Sequence, residues 1–303
     1  MTCKLRRSTH LMAVAGLALN LCAGMAQAQD QGGLTGDFSY THGSGSGGYR
    51  SHSVAANIEP NGRPLSLGFN ATQSLVDSAE VSTQVGASVG WRVSPVWSVD
   101  ANLSTTNDDL VNVSARGLSV TWNLHKLWQG KRTTRLELGR NVSDYSLQRD
   151  SQNLNNRIPQ QRRSRLDLRQ GLSDAFDVYV GLETYDYSQD PIELARALLN
   201  RKVRRVAAAG MLGDLNELSQ TFGVGLSLGE AWNFDVSTTR SSTVMGQNQW
   251  QKAISLSYLF HPRASATLGY TSSNSDALLA PGGATLSASQ DDSMVELGIR
   301  WLF

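Results

Sequence analysis

The nine residues from Val295 to Phe303 carry the constraint that decides what this chain can become. Val295, Leu297, Ile299, Trp301 and Phe303 share one parity and are all apolar. Glu296, Gly298, Arg300 and Leu302 share the other. A repeat of two places successive side chains on opposite faces of a strand, so this segment has one greasy face and one largely polar face. Mean hydropathy over the chain is only −0.28. Beyond residue 28 no run approaches the roughly 20 apolar residues that a transmembrane helix needs. Alternation can nevertheless present a continuous apolar surface to lipid, because a membrane strand needs apolar residues only at every second position.

The same alternation recurs along the chain and predicts about fourteen strands, near 35–42, 49–58, 64–74, 80–93, 96–105, 111–124, 132–147, 161–171, 176–187, 218–228, 232–240, 249–260, 263–272 and 291–303. It is clearest in Val81, Val85, Ala87, Val89, Trp91 and Val93, and again in Trp97, Val99, Ala101 and Leu103. The phase shifts near Arg116-Gly117, where Val113 and Leu118 fall on opposite parities; a glycine-associated bulge is expected there. Short connections such as Glu59-Pro60-Asn61-Gly62-Arg63, Ser94-Pro95 and His261-Pro262-Arg263 hold turn-forming residues. The long connections, 148–160, 188–217 and 273–290, all follow odd-numbered strands and therefore share one end. Aromatic residues beside the short turns are expected to form a girdle at one membrane interface. The 28 glycines suit tight turns and small inward positions.

The amino terminus reads as an export signal. Lys4, Arg6 and Arg7 precede a 14-residue apolar stretch from Leu11 to Gly24, and Ala26-Gln27-Ala28 forms a small-x-small cleavage site. The expected organisation is a signal peptide over 1–28 and a single domain over 29–303. Both cysteines, Cys3 and Cys22, fall in the removed piece, so the mature chain has no disulfide, thiolate metal site or cysteine nucleophile. Loss of Lys4, Arg6 and Arg7 leaves 24 basic residues against 26 acidic ones, a net charge of −2. That balance argues against nucleic acid as a partner.

The aromatic carboxyl terminus, with Trp301 two residues before Phe303, resembles the closing strand of Gram-negative outer-membrane β-barrels. Their assembly machinery reads a terminal Phe preceded by alternating apolar residues. The resemblance covers the mature chain as a pattern and singles out no subfamily. It implies an all-β protein, a transmembrane antiparallel up-and-down barrel of about 14 strands (12–16 being compatible), located in the outer membrane. The implied partners are outer-membrane lipid and lipopolysaccharide, the barrel-assembly machinery with periplasmic chaperones, and small hydrophilic solutes. Trp301 and Phe303 are the residues expected to carry the assembly signal.

With the greasy parity outward, the lumen receives charges of both signs. They include Asp37, Arg92, Asp100, Asp177, Asp235, Glu296 and Arg300, and they concentrate over residues 132–187. There Arg135 and Glu137 sit beside Arg163, Arg165, Asp167 and Arg169, followed by Glu183. Opposed rows of such residues would set a transverse field and a polar constriction that selects solutes by charge and size. Arg140 falls on the lipid parity, which is costly at mid-membrane, so a bulge or rim position is expected for it.

One helix is expected, over 190–209. Asp190-Pro191-Ile192-Glu193 combines an N-cap, a first-turn proline and an acidic third position. Arg196, Arg201, Lys202, Arg204 and Arg205 make it strongly basic. In an extracellular loop it would either narrow the barrel mouth, contact the anionic lipopolysaccharide surface, or pack on the rim. Catalytic groupings are thin: His42 and His52 flank the first hairpin with Ser44 and Ser51 nearby, without a hydrolase signature. The glycine-rich 43–48 stretch reads as a hairpin tip. No cluster has metal-ligand spacing, and no cofactor is expected. The leading expectation is a non-enzymatic, passive, weakly charge-selective pore. The alternatives are a non-conducting accessory barrel serving surface polysaccharide or adhesion through its loops, and a surface hydrolase.

Overall fold

The computed structural model describes residues 33–77, 79–108, 111–127, 132–147, 158–191, 215–279 and 285–303. The signal segment 1–28 lies outside them. So does the expected basic helix beyond Pro191, including Arg196, Arg201, Lys202, Arg204 and Arg205. The first strands are β1 (Leu34–Gly45), β2 (Tyr49–Pro60), β3 (Leu65–Val76), β4 (Ala79–Arg92), β5 (Trp97–Asp108), β6 (Val111–Asn123) and β7 (Thr134–Leu147). They continue as β8 (Gln161–Gly171), β9 (Phe176–Tyr187), β10 (Asn216–Leu228), β11 (Trp232–Thr243), β12 (Asn248–His261) and β13 (Ala264–Ser275). A two-stranded ribbon, β14 (Leu278–Leu279) with β15 (Thr285–Ser287), precedes the last strand, β16 (Gln290–Leu302).

Each barrel strand pairs antiparallel with its neighbours in sequence, and β16 pairs with β1 to close a fourteen-stranded barrel. The seam is tight. Phe303 and Gly36 exchange two backbone hydrogen bonds, both 3.0 Å, and the Phe303 ring lies against Gly36, where a Cβ would come within 2.9 Å of it. Fourteen strands spaced ~4.8 Å apart and tilted ~40° close at a backbone radius of about 14 Å.

Alternation then decides which face meets what. Leu103 is 64% exposed and Leu297 57%, and Val89, Leu118, Phe222, Leu268 and Ile299 lie on the same outer face of the barrel and are also exposed. In water such a surface would be unstable; around a closed barrel it is the apolar band that a bilayer solvates. Among the described aliphatic and aromatic residues only Ala56, Ile58, Ala71, Leu215, Ala264 and Leu278 are buried. The stability of the fold therefore comes from its closed hydrogen-bond ladder and its lipid-facing band, with no soluble-type core.

Trp91, Trp97, Trp122, Trp232 and Trp301 all stand at the end of the barrel where the short turns lie. Trp97 faces Trp122 across β5 and β6, Trp232 stacks on Tyr258 with ring centres 4.3 Å apart, and His261 stacks on Trp301 at 5.8 Å. This is the girdle that the sequence places beside the short turns. Those turns are built as their residues dictate: Gly62 takes φ +74°, a left-handed conformation that a side chain would resist, and the Ser94 hydroxyl accepts from the backbone N–H groups of Val96 and Trp97.

Two expectations are corrected. No bulge occurs at Arg116-Gly117: β6 is in unbroken register with β5 and with β7 along that stretch. Leu118 faces outward and Val113 inward simply because they lie on opposite parities, near the polar end of the barrel. Arg140 is likewise not at a bulge. It sits in continuous register opposite Leu118 and Ser164, six residues into β7, and remains on the outer face. Register breaks fall instead at Ser74/Leu75, Asn216/Leu218 and Leu259/His261, all near strand ends. A one-turn helix, α1 (Leu124–Leu127), occupies the short-turn end between β6 and β7.

Candidate functional site

The inner wall of β7–β9 is the most chemically dense part of the described barrel. In β8 the outward residues are Ser164, Leu166 and Leu168, so Arg163, Arg165, Asp167 and Arg169 project into the lumen. Cross-strand pairing sets their neighbours: Arg165 lies between Gly139 and Glu183, Arg163 between Asn141 and Tyr185, Asp167 between Glu137 and Gly181, and Arg169 between Arg135 and Tyr179. Arg135, Glu137, Arg163, Arg165, Asp167, Arg169 and Glu183 thus form one contiguous patch.

The arrangement differs from two opposed rows. Positive and negative residues interleave on one wall and neutralise one another. Arg135 Nη2 lies 3.1 Å from Glu137 Oε2, Arg163 Nη1 3.6 Å from Glu183 Oε1, and Arg165 pairs with Asp167 and Glu183. Arg169 grips Asp177 through Nε at 2.7 Å and Nη2 at 3.0 Å. Barrel width is the reason: opposing walls are about 28 Å apart, whereas an arginine reaches only ~7 Å from its Cα. Charges can meet along a wall but not across it. The facing wall mixes hydroxyl groups, as in the pairs Ser53–Thr72 at 2.9 Å and Ser257–Thr267 at 2.8 Å, with a few charges on β1 and β16.

These side chains remain in contact with water. Arg165 keeps 44% of its side-chain surface exposed and Arg169 52%, although each holds a carboxylate. Two further ion pairs complete the set. Arg300 Nη2 donates to Asp37 at 2.9 Å beside the seam, and Arg92 lies 3.8 Å from Glu59 near the short-turn rim. Among the described residues every inward arginine therefore has a carboxylate partner. Asp100, Asp235, Glu296 and Asp292 are among the inward carboxylates with no arginine within ion-pair distance.

Tyrosines form a second feature of this wall, absent from the sequence-based candidates. Tyr179, Tyr185 and Tyr187 share the inward parity of Asp177 and Glu183 on β9, a signal that was present in the alternation. Tyr179 donates to Asp235 Oδ1 at 2.8 Å, lies 5.4 Å beneath the Arg169 guanidinium, and fills the space over Gly223, where a Cβ would stand 2.1 Å from its Cζ. Tyr185 donates to Glu183 Oε2 at 2.6 Å. At the long-loop end, Tyr145 donates to Gln161 and Gln161 to Tyr187, both at 2.9 Å. Above them Leu278 and Leu215 are buried against Tyr187, Val244 and Met245, which docks the start of the last long connection onto the rim of β9–β12.

His42 and His52 are neighbours, their Nδ1 atoms 3.4 Å apart, and the Tyr40 hydroxyl lies 2.8 Å from His52 Nδ1. All three share the outward parity of Phe38 and Val54, whereas Ser51 is buried on the opposite face. No serine–histidine pair forms there.

No family model matches the chain, and no curated protein sequence does. Among solved structures the chain is similar to a CymD monoaromatic hydrocarbon channel, at 10% identity and a TM-score of 0.52, with 89% of this chain and 88% of that one covered. It also aligns with an anion-selective porin from Comamonas acidovorans (9% identity, TM-score 0.46, 89% and 98% covered). A KdgM porin aligns at 8% identity and TM-score 0.42, covering 88% and 99%. At these identities the likeness is one of fold. The chain is a closed fourteen-stranded antiparallel β-barrel. The solved structures named here are porins and channels, and the likeness identifies no subfamily.

Proposed function

We propose that this barrel sits in the outer membrane as a passive channel for small hydrophilic solutes, with a weak preference for cations. The observation that carries the sign is the surplus of lumen carboxylates. Once Arg92, Arg135, Arg163, Arg165, Arg169 and Arg300 are matched with their partners, carboxylates that include Asp100, Asp235 and Glu296 remain. A net negative wall enriches cations within a Debye length of it, about 8 Å at physiological ionic strength. Half-exposed lumen arginines and a barrel wider than the eight-stranded ones that side chains fill both support an open, wetted passage. The lining of Ser, Thr, Asn, Gly and paired charges favours hydrated solutes over hydrocarbon, unlike the cargo named for the CymD channel. Assembly machinery, periplasmic chaperones and surface glycolipid are the partners such a barrel would meet.

The test is single-channel recording of the refolded mature chain in a planar bilayer, beside an Asp100→Asn, Asp235→Asn, Glu296→Gln variant. The expected result is steady conductance with cations favoured in the parent and that preference lost in the variant. Silence from a barrel that shows heat-modifiable gel migration would sink the channel reading in favour of an accessory barrel. An unchanged ion preference in the variant would overturn the assigned selectivity.

A further inference from the structure

Four histidines lie beyond residue 28, and two of them meet across the first hairpin. His42 on β1 stands directly opposite His52 on β2. They are ten residues apart in sequence, a spacing that matches no metal-ligand motif; the antiparallel register alone brings them together. Residues opposite one another in such a pair have Cβ atoms ~4.5–5.5 Å apart. Both side chains point out from the barrel wall, on the face that carries Tyr40 and Leu297.

The two rings present the same nitrogen to each other. Their Nδ1 atoms are 3.4 Å apart, the ring centres 4.8 Å apart and the planes tilted by 38°. The Tyr40 hydroxyl adds a third heteroatom, 2.8 Å from His52 Nδ1. An imidazole nitrogen carries either one hydrogen or one lone pair. His52 Nδ1 therefore serves one of its two neighbours well and leaves the other short of a partner. A cation bound by both imidazoles, with the hydroxyl beside it, removes that conflict.

The separation also says which coordination fits. Two nitrogens bound at ~2.05 Å to a tetrahedral zinc ion stand about 3.3 Å apart. Adjacent nitrogens of a square-planar copper(II) site stand about 2.9 Å apart. The observed 3.4 Å matches the tetrahedral edge.

The other two histidines show what a solitary imidazole does in this barrel. His125 Nδ1 accepts from the Thr134 N–H at 3.4 Å. His261 Nδ1 accepts from the Arg263 N–H at 3.2 Å, and its ring stacks on Trp301. Each nitrogen there has a backbone donor, whereas His42 and His52 turn theirs toward one another. Both are half-buried and Tyr40 is exposed, so the nitrogens can be reached from outside. Arg50 lies two residues along β2 on the same face, across from Ser44. Its charge opposes a cation, and the two imidazole bonds must outweigh it.

We propose that His42 and His52, with Tyr40 beside them, form a zinc-binding site on the outer wall of the first hairpin. Neutral imidazole is a common ligand of this ion. The bound zinc ties β1 to β2 next to the seam where β1 meets β16, and its remaining position is open to water. The site does not depend on conduction through the lumen.

Zinc titration calorimetry of the refolded mature chain, carrying no polyhistidine tag, tests it, together with Co2+ uptake read by visible absorption. The variants are His42→Ala, His52→Ala and, as a control, His261→Ala, each checked for heat-modifiable migration. His42→Gln stands in for an alanine variant that does not fold. The parent and His261→Ala are expected to bind a single zinc ion. Affinity should fall about tenfold or more when either His42 or His52 is replaced, since even the groups that merely orient a ligand are worth that much. Cobalt on the parent should show the intense visible band of the four-coordinate ion. Absence of saturable zinc binding would overturn the site, as would equal affinity in the parent and His42→Ala, or loss of binding only in His261→Ala. The faint spectrum of six-coordinate cobalt on the parent would overturn it too.

Discussion

Arg169 and Asp177 face each other at the β8–β9 turn end of the lumen, joined by two near-parallel hydrogen bonds at 2.7 and 3.0 Å. The pair cancels its own charge while both side chains stay wet. Removing one member therefore changes the field of the pore rather than its shape. Asp177→Asn should shift the cation-to-anion permeability ratio toward anions by about threefold, the factor for a change of ~0.5 kT in lumen potential, since cations and anions respond in opposite senses. Reversal potentials in a salt gradient would show it; a ratio equal to the parent's would mean that this wall does not govern permeation.

Ionic strength provides an independent check. Screening length falls from about 10 Å at 0.1 M salt to about 3 Å at 1 M. The lumen is much wider than the latter, so the cation preference should fade to the ratio of free-solution mobilities in molar salt. A preference that persists undiminished would point to a narrow, desolvating constriction instead.

Gly223 is the floor on which Tyr179 lies. A valine there would force the ring away and break its hydrogen bond to Asp235. Overpacking of this kind costs roughly 1–3 kcal/mol, measurable by urea unfolding in lipid vesicles. Adding Tyr179→Ala should recover much of the loss, since the clash would then have no partner.

The two faces of one strand pair should respond oppositely to the same charge. Leu138→Arg places a cation in the apolar band and is expected to cost about 2–4 kcal/mol if it lies near the membrane midplane. Ser119→Arg, on the lumen face of β6 across from Gly139, should be far better tolerated. Similar losses for both in vesicle unfolding would contradict the assignment of faces.

How much of this could be read from the residues depends on height in the barrel. Where outward positions are apolar, as at Trp97, Val99, Ala101 and Leu103, alternation located the strand and its faces. Toward the long loops the outward positions turn polar while the hydrogen-bond ladder continues, so β1 runs to Gly45 and β11 to Thr243 beyond their expected ends. The same loss of contrast produced the false bulge at Gly117, because Val113 points into the lumen there. Parity placed Arg165 and Glu183 on the inner face. Which charge meets which depends on register and barrel width, quantities set by the whole sheet and invisible within any one strand. Tyr179 is hard to read for a different reason: in a chain whose aromatic residues mostly face lipid, an inward one is an exception that only the glycine opposite it explains.

The bond between Gly36 and Phe303 gives the molecule a property of rings rather than of stacks. A repeat protein can lose a terminal unit and keep the rest, since each unit answers only to its neighbours. Here the first and last strands are each other's neighbours, so removing β16 would expose the edges of both β1 and β13 beside an apolar belt. No partial circle is a smaller version of the whole. Assembly must accordingly be a single topological event: every residue of the sheet waits on the arrival of the last strand, and until then the lumen has no inside.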